Sequence, residues 1–132
     1  MQLKNIVSIR TGVSHSLALD STGRVFAWGD SRYGAIGKES LNQPKVILQG
    51  IIQIACGADH SFFLTQNNDV LALGRNDFGQ LGLKMNQINT PTLVPISDVE
   101  SISCGQHHTH FLTKSNEVYA CGQNTEGQLG TG

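Results

Sequence analysis

Apolar residues along this chain fall in short runs separated by polar turns and glycines, never in long stripes. Ile51 to Cys56 is one such run, ended by Gly57. His60 to Leu64 is a second, carrying Phe62, Phe63 and Leu64, and Thr65-Gln66-Asn67-Asn68-Asp69 is a polar turn after it. Val70 to Leu73 is a third, stopped by Gly74. A fourth follows a glycine-rich loop: Thr92 to Ile96 after Pro91, and Lys45 to Leu48 after Pro44. Proline is tolerated at a strand start or on an edge, where no ladder donor is lost. No segment keeps i, i+3, i+4 apolar spacing over three turns, and Gly or Asn interrupts throughout. The pattern predicts four short strands in each unit of about 45–50 residues, with helix limited to single turns.

The unit occurs three times. Gly12-Val13-Ser14-His15-Ser16, Gly57-Ala58-Asp59-His60-Ser61 and Gly105-Gln106-His107-His108-Thr109 share G-x-x-H-[ST]. Each is followed at a fixed interval by V-x-A-x-G, closing on Gly29, Gly74 and Gly122. Those glycines open G-x-x-x-x-G-x-[IL]-G, continued by Gly34 and Gly37, Gly79 and Gly82, Gly127 and Gly130. Between the second and third strands stand Asp20-Ser21-Thr22-Gly23, the Thr65 turn and Lys114-Ser115-Asn116-Glu117. Gly and Asn there supply the positive φ that tight hairpins need. A residue present in all three copies is expected to serve a structural purpose three times over.

Four-stranded units at this period point to a β-propeller. No Trp-Asp ending occurs, since Trp28 precedes Gly29, and a Gly-Gly doublet is missing as well. Cys104-Gly105-Gln106-His107-His108-Thr109, Val118-Tyr119-Ala120-Cys121-Gly122-Gln123-Asn124 and Gly127-Gln128-Leu129-Gly130, with the connection Pro91-Thr92-Leu93-Val94, resemble the regulator-of-chromosome-condensation repeat. The resemblance covers nearly the whole chain and implies an all-β fold of four-stranded antiparallel blades, usually seven to a ring. We therefore expect one incomplete propeller domain over residues 1–132, with about three blades in units near 1–37, 38–82 and 83–132. We read the chain as the first part of a longer propeller; its rival is a short chain that completes itself by association. In either case self-association or the missing blades are needed to cover two open ends. Exposed apolar patches of more than a few hundred Å² mark an interface or an aggregation hazard.

Charge narrows the function. Nine basic and ten acidic residues give a net charge of −1, and charged residues make up 14%. No basic stripe is present to neutralise phosphates, so the nucleic-acid footprint is missing. No segment approaches the roughly 18 consecutive apolar residues of a membrane span, and no signal peptide is visible. The three cysteines occupy interior-type positions: Cys56 and Cys104 where the first copy has Thr11, and Cys121 where the others have Trp28 and Leu73. Buried reduced thiols suit an intracellular protein, cytoplasmic or nuclear; a Cys56–Cys104 bridge between blades is the alternative.

The chemical candidates are weak. His108 and His110 share a strand face, and two imidazoles there could ligate a metal. Yet His108 is the repeat histidine, with His15 and His60 as counterparts, and no carboxylate or thiol sits at a matching offset. A half-buried imidazole hydrogen-bonding backbone between strands or blades is the better reading, with no metal and no cofactor. His15-Ser16 and His60-Ser61 are strand neighbours whose side chains point to opposite faces, so neither makes a nucleophile–base pair. The loop Gly34-Ala35-Ile36-Gly37-Lys38-Glu39 fails as a phosphate cradle, having Arg32 and Glu39 where the motif needs Gly and Ser/Thr. Its glycines are read as permitting tight turns between blades. We expect no catalytic residue and no enzyme activity.

What differs between copies points to partners. The loop after V-x-A-x-G reads Asp30-Ser31-Arg32-Tyr33, Arg75-Asn76-Asp77-Phe78 and Gln123-Asn124-Thr125-Glu126. Rigid scaffolds bind through such loops, and Arg with aromatic residues is the type that anchors interfaces. Asp30, Arg32, Tyr33, Arg75, Asp77, Phe78 and Glu126 are the candidate contacts for a protein partner. The resemblance implies a non-enzymatic interaction scaffold, with guanine-nucleotide exchange on a Ran-type small GTPase as the second reading. No wedge-like insertion, of the kind the family's exchange activity uses, appears between the copies.

Overall fold

The computed structural model describes residues 2–131; Met1 and Gly132, the outer limits of the first and last repeat units, lie outside the described residues. Among the described residues the chain is all-β, with one 3-10 turn at Arg32–Gly34 and eleven strands in three antiparallel sheets. The first runs β1 (Ile6–Thr11), β2 (His15–Asp20), β3 (Val25–Gly29), β4 (Leu41–Leu48). The second runs β5 (Ile51–Cys56), β6 (His60–Thr65), β7 (Val70–Arg75), β8 (Gln87–Leu93). The third has β9 (Val99–Cys104), β10 (His108–Thr113) and β11 (Val118–Gly122). Each is a meander with sequential strands as neighbours, and registers repeat: His15 faces Gly29, His60 faces Gly74 and His108 faces Gly122.

The fourth strands begin earlier than the sequence pattern predicts. They start at Leu41 and Gln87, upstream of Pro44 and Pro91. Both prolines lie on the outermost strand of their sheet, where the register with the third strand slips between Ala27 and Gly29 and between Ala72 and Gly74. The missing N–H therefore breaks no regular ladder. The glycine-rich loops also differ from expectation. The first two lie within a blade, joining its third strand to its fourth; the Arg32–Gly34 turn packs against β7 and β8 of the next sheet. Hairpin turns carry positive φ where expected, at Gly23, Asn68 and Asn116.

Two apolar layers hold the three sheets together. Leu17, Leu19, Val25 and Ala27 of the first sheet meet Ile51, Ile54, Phe63 and Leu73 of the second. Phe62, Leu64, Val70 and Ala72, on the other face of the second sheet, meet Val99, Ile102 and Phe111 of the third. The middle sheet thus buries both faces, which is why β6 is buried from His60 to Leu64. A fully buried Leu, Val or Phe side chain contributes about 1.5–3 kcal/mol.

Each apolar layer is capped by a polar relay built from the repeat motif. His15 Nε2 lies 3.0 Å from Ser61 Oγ of the next blade, and that hydroxyl donates to the Ala35 carbonyl at 2.6 Å. His60 Nε2 lies 3.2 Å from Thr109 Oγ1, which donates to the Gln80 carbonyl at 2.8 Å. A hydroxyl has one hydrogen, and a carbonyl can only accept, so each imidazole carries its hydrogen on Nε2 and donates it. The histidine's partner is thus a side chain of the following repeat rather than backbone. It is the Ser or Thr of the same motif, one copy on.

The motif's first glycine makes room for that ring. A Cβ on Gly12, Gly57 or Gly105 would collide with the imidazole of His15, His60 or His108. Backbone reinforces the joints: Val13 N–H donates to the Ala58 carbonyl at 2.9 Å, and Ala58 N–H to the Gln106 carbonyl at 3.0 Å.

Burial sets the histidines' charge. His60 is fully buried, and desolvation, with the nearby His15, His107 and His108 imidazoles, pulls its pKa down to about 3. Burial lowers that of His15 as well, against the opposing pull of Asp59. Burial pushes the Cys56 thiol up to about 12 and that of Cys121 up to about 11. All three cysteines are free, with no Cys56–Cys104 bridge.

Two outcomes are expected from the relay. His60→Ala lowers stability by about 1–3 kcal/mol at neutral pH, because the Thr109 hydroxyl loses its buried donor; urea denaturation measures it. Stability also depends on pH with a definite sign. Unfolded histidine titrates near 6.5 and folded His60 much lower, so on acidification the unfolded chain binds more protons. The stabilisation is complete above about pH 6.5 and falls below it, by about 2 kcal/mol at pH 5 for His60 alone. Unfolding midpoints that stay level from pH 7 to pH 5 would contradict the buried neutral ring.

Candidate functional site

The loops that differ between copies are brought together by the glycine closing each third strand. Gly29, Gly74 and Gly122 have φ of 105°, 116° and 112°. A Cβ on any of them would strike the carbonyl of Ser14, Asp59 or His107, the residue before each repeat histidine. The same carbonyl accepts the next residue's N–H: Asp30 to Ser14 at 2.8 Å, Arg75 to Asp59 at 3.0 Å, Gln123 to His107 at 2.9 Å. The first residue of each variable loop is therefore fastened beside the residue preceding each repeat histidine.

This geometry builds an array across three blades. The Arg75 guanidinium carbon sits 4.6 Å from the ring centroid of Tyr33 and 5.2 Å from that of Phe78. The Phe78 ring lies 5.0 Å from the ring of His107. Tyr33 belongs to the first blade's loop, Arg75 and Phe78 to the second's, and His107 to the third. Arg75 is held by Asp77 through Nε at 2.6 Å and a terminal nitrogen at 2.8 Å, with Asp59 3.7 Å away on its other side. The Asp77 hydrogen bond raises the arginine's pKa further, and Arg75 in turn holds the Asp77 carboxyl below the usual range. Tyr33 is 38% exposed and Phe78 39%. An arginine matched by two carboxylates is not a free anion receptor. Flanked by half-exposed rings, it is a rigid amphipathic surface of the type that anchors protein interfaces.

The other candidate residues lie apart from this array. Asp30 accepts a hydrogen bond from Ser40 within its own loop at 3.0 Å, and Arg32 points to solvent. Glu126 is exposed in the third loop, its N–H donating to Gln128 at 2.8 Å. Two array members, Asp59 and His107, were missed by the sequence reading. Their signal was present: Ser14, Asp59 and His107 differ beside a histidine that does not.

The second loop position is not the free variable it looks in sequence. Asn76 is buried; its amide donates to the Leu83 and Met85 carbonyls at 2.6 Å each, and its carbonyl accepts from Leu81 N–H at 2.7 Å. Asn124 accepts from Leu129 N–H at 3.0 Å, and Ser31 Oγ from Ile36 N–H at 3.3 Å. This residue organises the glycine-rich loop from inside. Gly34, Gly37, Gly79, Gly82, Gly127 and Gly130 supply that loop's positive φ angles. The His108 and His110 rings stand edge to face at 5.5 Å, and among the described residues no third His, Cys, Asp or Glu joins them in a metal-ligating group.

Comparison with known proteins agrees with this architecture. The family model for the regulator of chromosome condensation (RCC1) repeat matches residues 6–35, 51–80 and 99–128, and a second model of that repeat matches 22–64 and 67–112. Yeast RCC1 (Prp20) in its complex with Kap60 is similar at a TM-score of 0.84 and 30% identity, over 95% of this chain and 31% of that one. Prp20p from Saccharomyces cerevisiae, characterised for its binding to Gsp1p and histones, is similar at 0.86 and 29%, over 98% of this chain and 33% of that one. Human WBSCR16 shares the fold at 0.81 and 22% identity, over 92% and 34%. This chain spans about a third of the length of each of these proteins.

The loop's two kinds of residue separate by mutation. Asn76→Ala is expected to lower stability by about 2–4 kcal/mol, since it strands two carbonyls and an N–H. Phe78→Ala, at a half-exposed position, is expected to cost under about 1 kcal/mol. Denaturant titration of both variants checks the contrast.

Proposed function

The chain belongs to the regulator of chromosome condensation (RCC1) repeat family, and we propose that it is a non-enzymatic β-propeller scaffold that binds a protein partner through the face carrying Tyr33, Arg75, Phe78 and His107. One observation carries this reading: residue types that anchor interfaces converge from three blades onto one exposed surface. The scaffold beneath them is rigid, because every loop on that face is tied by backbone hydrogen bonds to the strand-end carbonyls.

The absence of catalysis is part of the proposal. Its support is the commitment of the chain's His–Ser and His–Thr pairs. Each hydroxyl gives its hydrogen to a backbone carbonyl and accepts from the imidazole, the reverse of what a nucleophile–base pair requires. The pairs are also sealed in the joints between blades. Three free thiols with raised pKa values fit an intracellular setting; no helix among the described residues is long and apolar enough to cross a membrane.

Exchange of guanine nucleotide on a Ran-type small GTPase is the second reading, favoured by the likeness to Prp20p, which binds Gsp1p. The two separate by experiment. Affinity capture with the chain and with a Tyr33→Ala/Phe78→Ala variant of unchanged melting temperature should recover a partner with the first and lose it, by at least about tenfold, with the second. Equal recovery would move the binding surface elsewhere. Acceleration of nucleotide release from a purified Ran-type GTPase would replace the scaffold reading by exchange.

A further inference from the structure

The backbone at Tyr33 stands in a conformation that its side chain disfavours. Its φ is 57° and its ψ 16°, in the left-handed region. The other non-glycine residues with positive φ among the described residues are Asn5, Asn68, Asp98 and Asn116. Those are the residue types whose short polar side chains tolerate it. A bulky side chain pays for that backbone, which persists only where the surroundings over-determine it. Phe78 and Glu126 hold the same place in the second and third loops, and neither has a positive φ. The second loop closes by the same bonds as the first: Gly79 N–H donates to the Asn76 carbonyl at 2.9 Å, as Gly34 N–H does to that of Ser31. The loop therefore forms without left-handed backbone at this position.

What holds Tyr33 there is a turn pinned from both sides. Ala35 N–H donates to the Arg32 carbonyl at 3.2 Å, and Ala35 and Ile36 are buried behind the turn. Gly34 lies so near Ile88 and Asn89 of the next sheet that a Cβ on it would collide with them. The outcome is a half-exposed ring whose centroid lies 4.6 Å from the Arg75 guanidinium carbon. That contact does not account for the strain within the fold. Arg75 is already held by Asp77 and Asp59. An exposed cation on a ring also returns less than left-handed backbone costs a bulky residue.

From this imbalance we propose that Tyr33 is the specificity-determining residue of the loop face: the fold gives up stability to hold this ring, half-exposed, over Arg75 for contact with a partner. The inference rests on the reading of that face as a binding surface. Such strain gathers at sites that contact ligands, where the surrounding structure is built to hold it. Phe78 plays the other part in the array. Its backbone is not left-handed, and its ring packs between Arg75 and His107, so it supports the surface. Tyr33 supplies the contact.

Two measurements on the 132-residue chain test it. The first is the melting temperature, which needs no partner. Asparagine accepts left-handed backbone, so Tyr33→Asn should melt about 2–4 °C above wild type. Phe78→Asn should melt below wild type, and Tyr33→Phe, which keeps both ring and strain, with it. A Tyr33→Asn chain that melts at or below wild type overturns the proposal, because the ring would then be a latch between blades. The second is binding. Random linear peptides displayed on phage are selected on wild type and counter-selected on the Tyr33→Ala/Phe78→Ala variant. The survivors should lose at least about tenfold in affinity with Tyr33→Asn and keep it with Tyr33→Phe. Survivors that lose affinity with Phe78→Asn but not with Tyr33→Asn overturn this inference and leave the face standing. If no peptide survives counter-selection, the face itself falls, and this inference with it.

Discussion

The contact on which this structure depends is an imidazole lying on a glycine and donating to a hydroxyl one repeat away. Sheets that pack only through apolar faces could slide or rotate. The buried relay from His15 to Ser61 to the Ala35 carbonyl forbids that, and so does the one from His60 to Thr109 to the Gln80 carbonyl. A slip would leave a buried donor or acceptor unpaired, at a cost of about 1–3 kcal/mol. The glycine three residues before each histidine is required because no side chain fits under the ring. One short motif thus specifies both the shape of a blade and the register between blades.

The face proposed to bind a partner is a consequence of the same construction. With the blades in register, the closing glycines turn each third strand so that the variable loops meet the residues preceding the repeat histidines. Arg75 is then caught between Tyr33 of one blade and Phe78 of its own, and Phe78 reaches His107 of the next. Asp59 and Asp77 fix the guanidinium. A surface assembled in this way is pre-organised, which spares a partner the ordering cost of binding to mobile loops.

Much of this was legible without coordinates. Alternating apolar runs and Gly or Asn turns gave the strands, because a period of two and a positive-φ turn are local properties. The triplicated motif gave the blade and its order. Where the reading failed, the missing information was not local. Strands β4 and β8 begin before their prolines, because an outermost strand can extend through a residue with no N–H. Asn76 looked like a free loop residue, yet the loop folds around it. Asp59 and His107 join the array only once neighbouring blades are in register, which no local pattern encodes.

By itself, then, the sequence determined the class of fold, the repeating blade and the structural status of the repeat glycines and histidines. These follow from short-range sterics and periodicity, which each copy restates. Only the tertiary structure decided what His15 and His60 bond. The partner of each is a hydroxyl in the next copy, 46 residues away for His15 and 49 for His60. It alone decided that Tyr33, Arg75, Phe78 and His107 form one surface. No spacing along the chain encodes that meeting, because it depends on the rotation of one sheet against another, which is fixed by packing and by the buried relay.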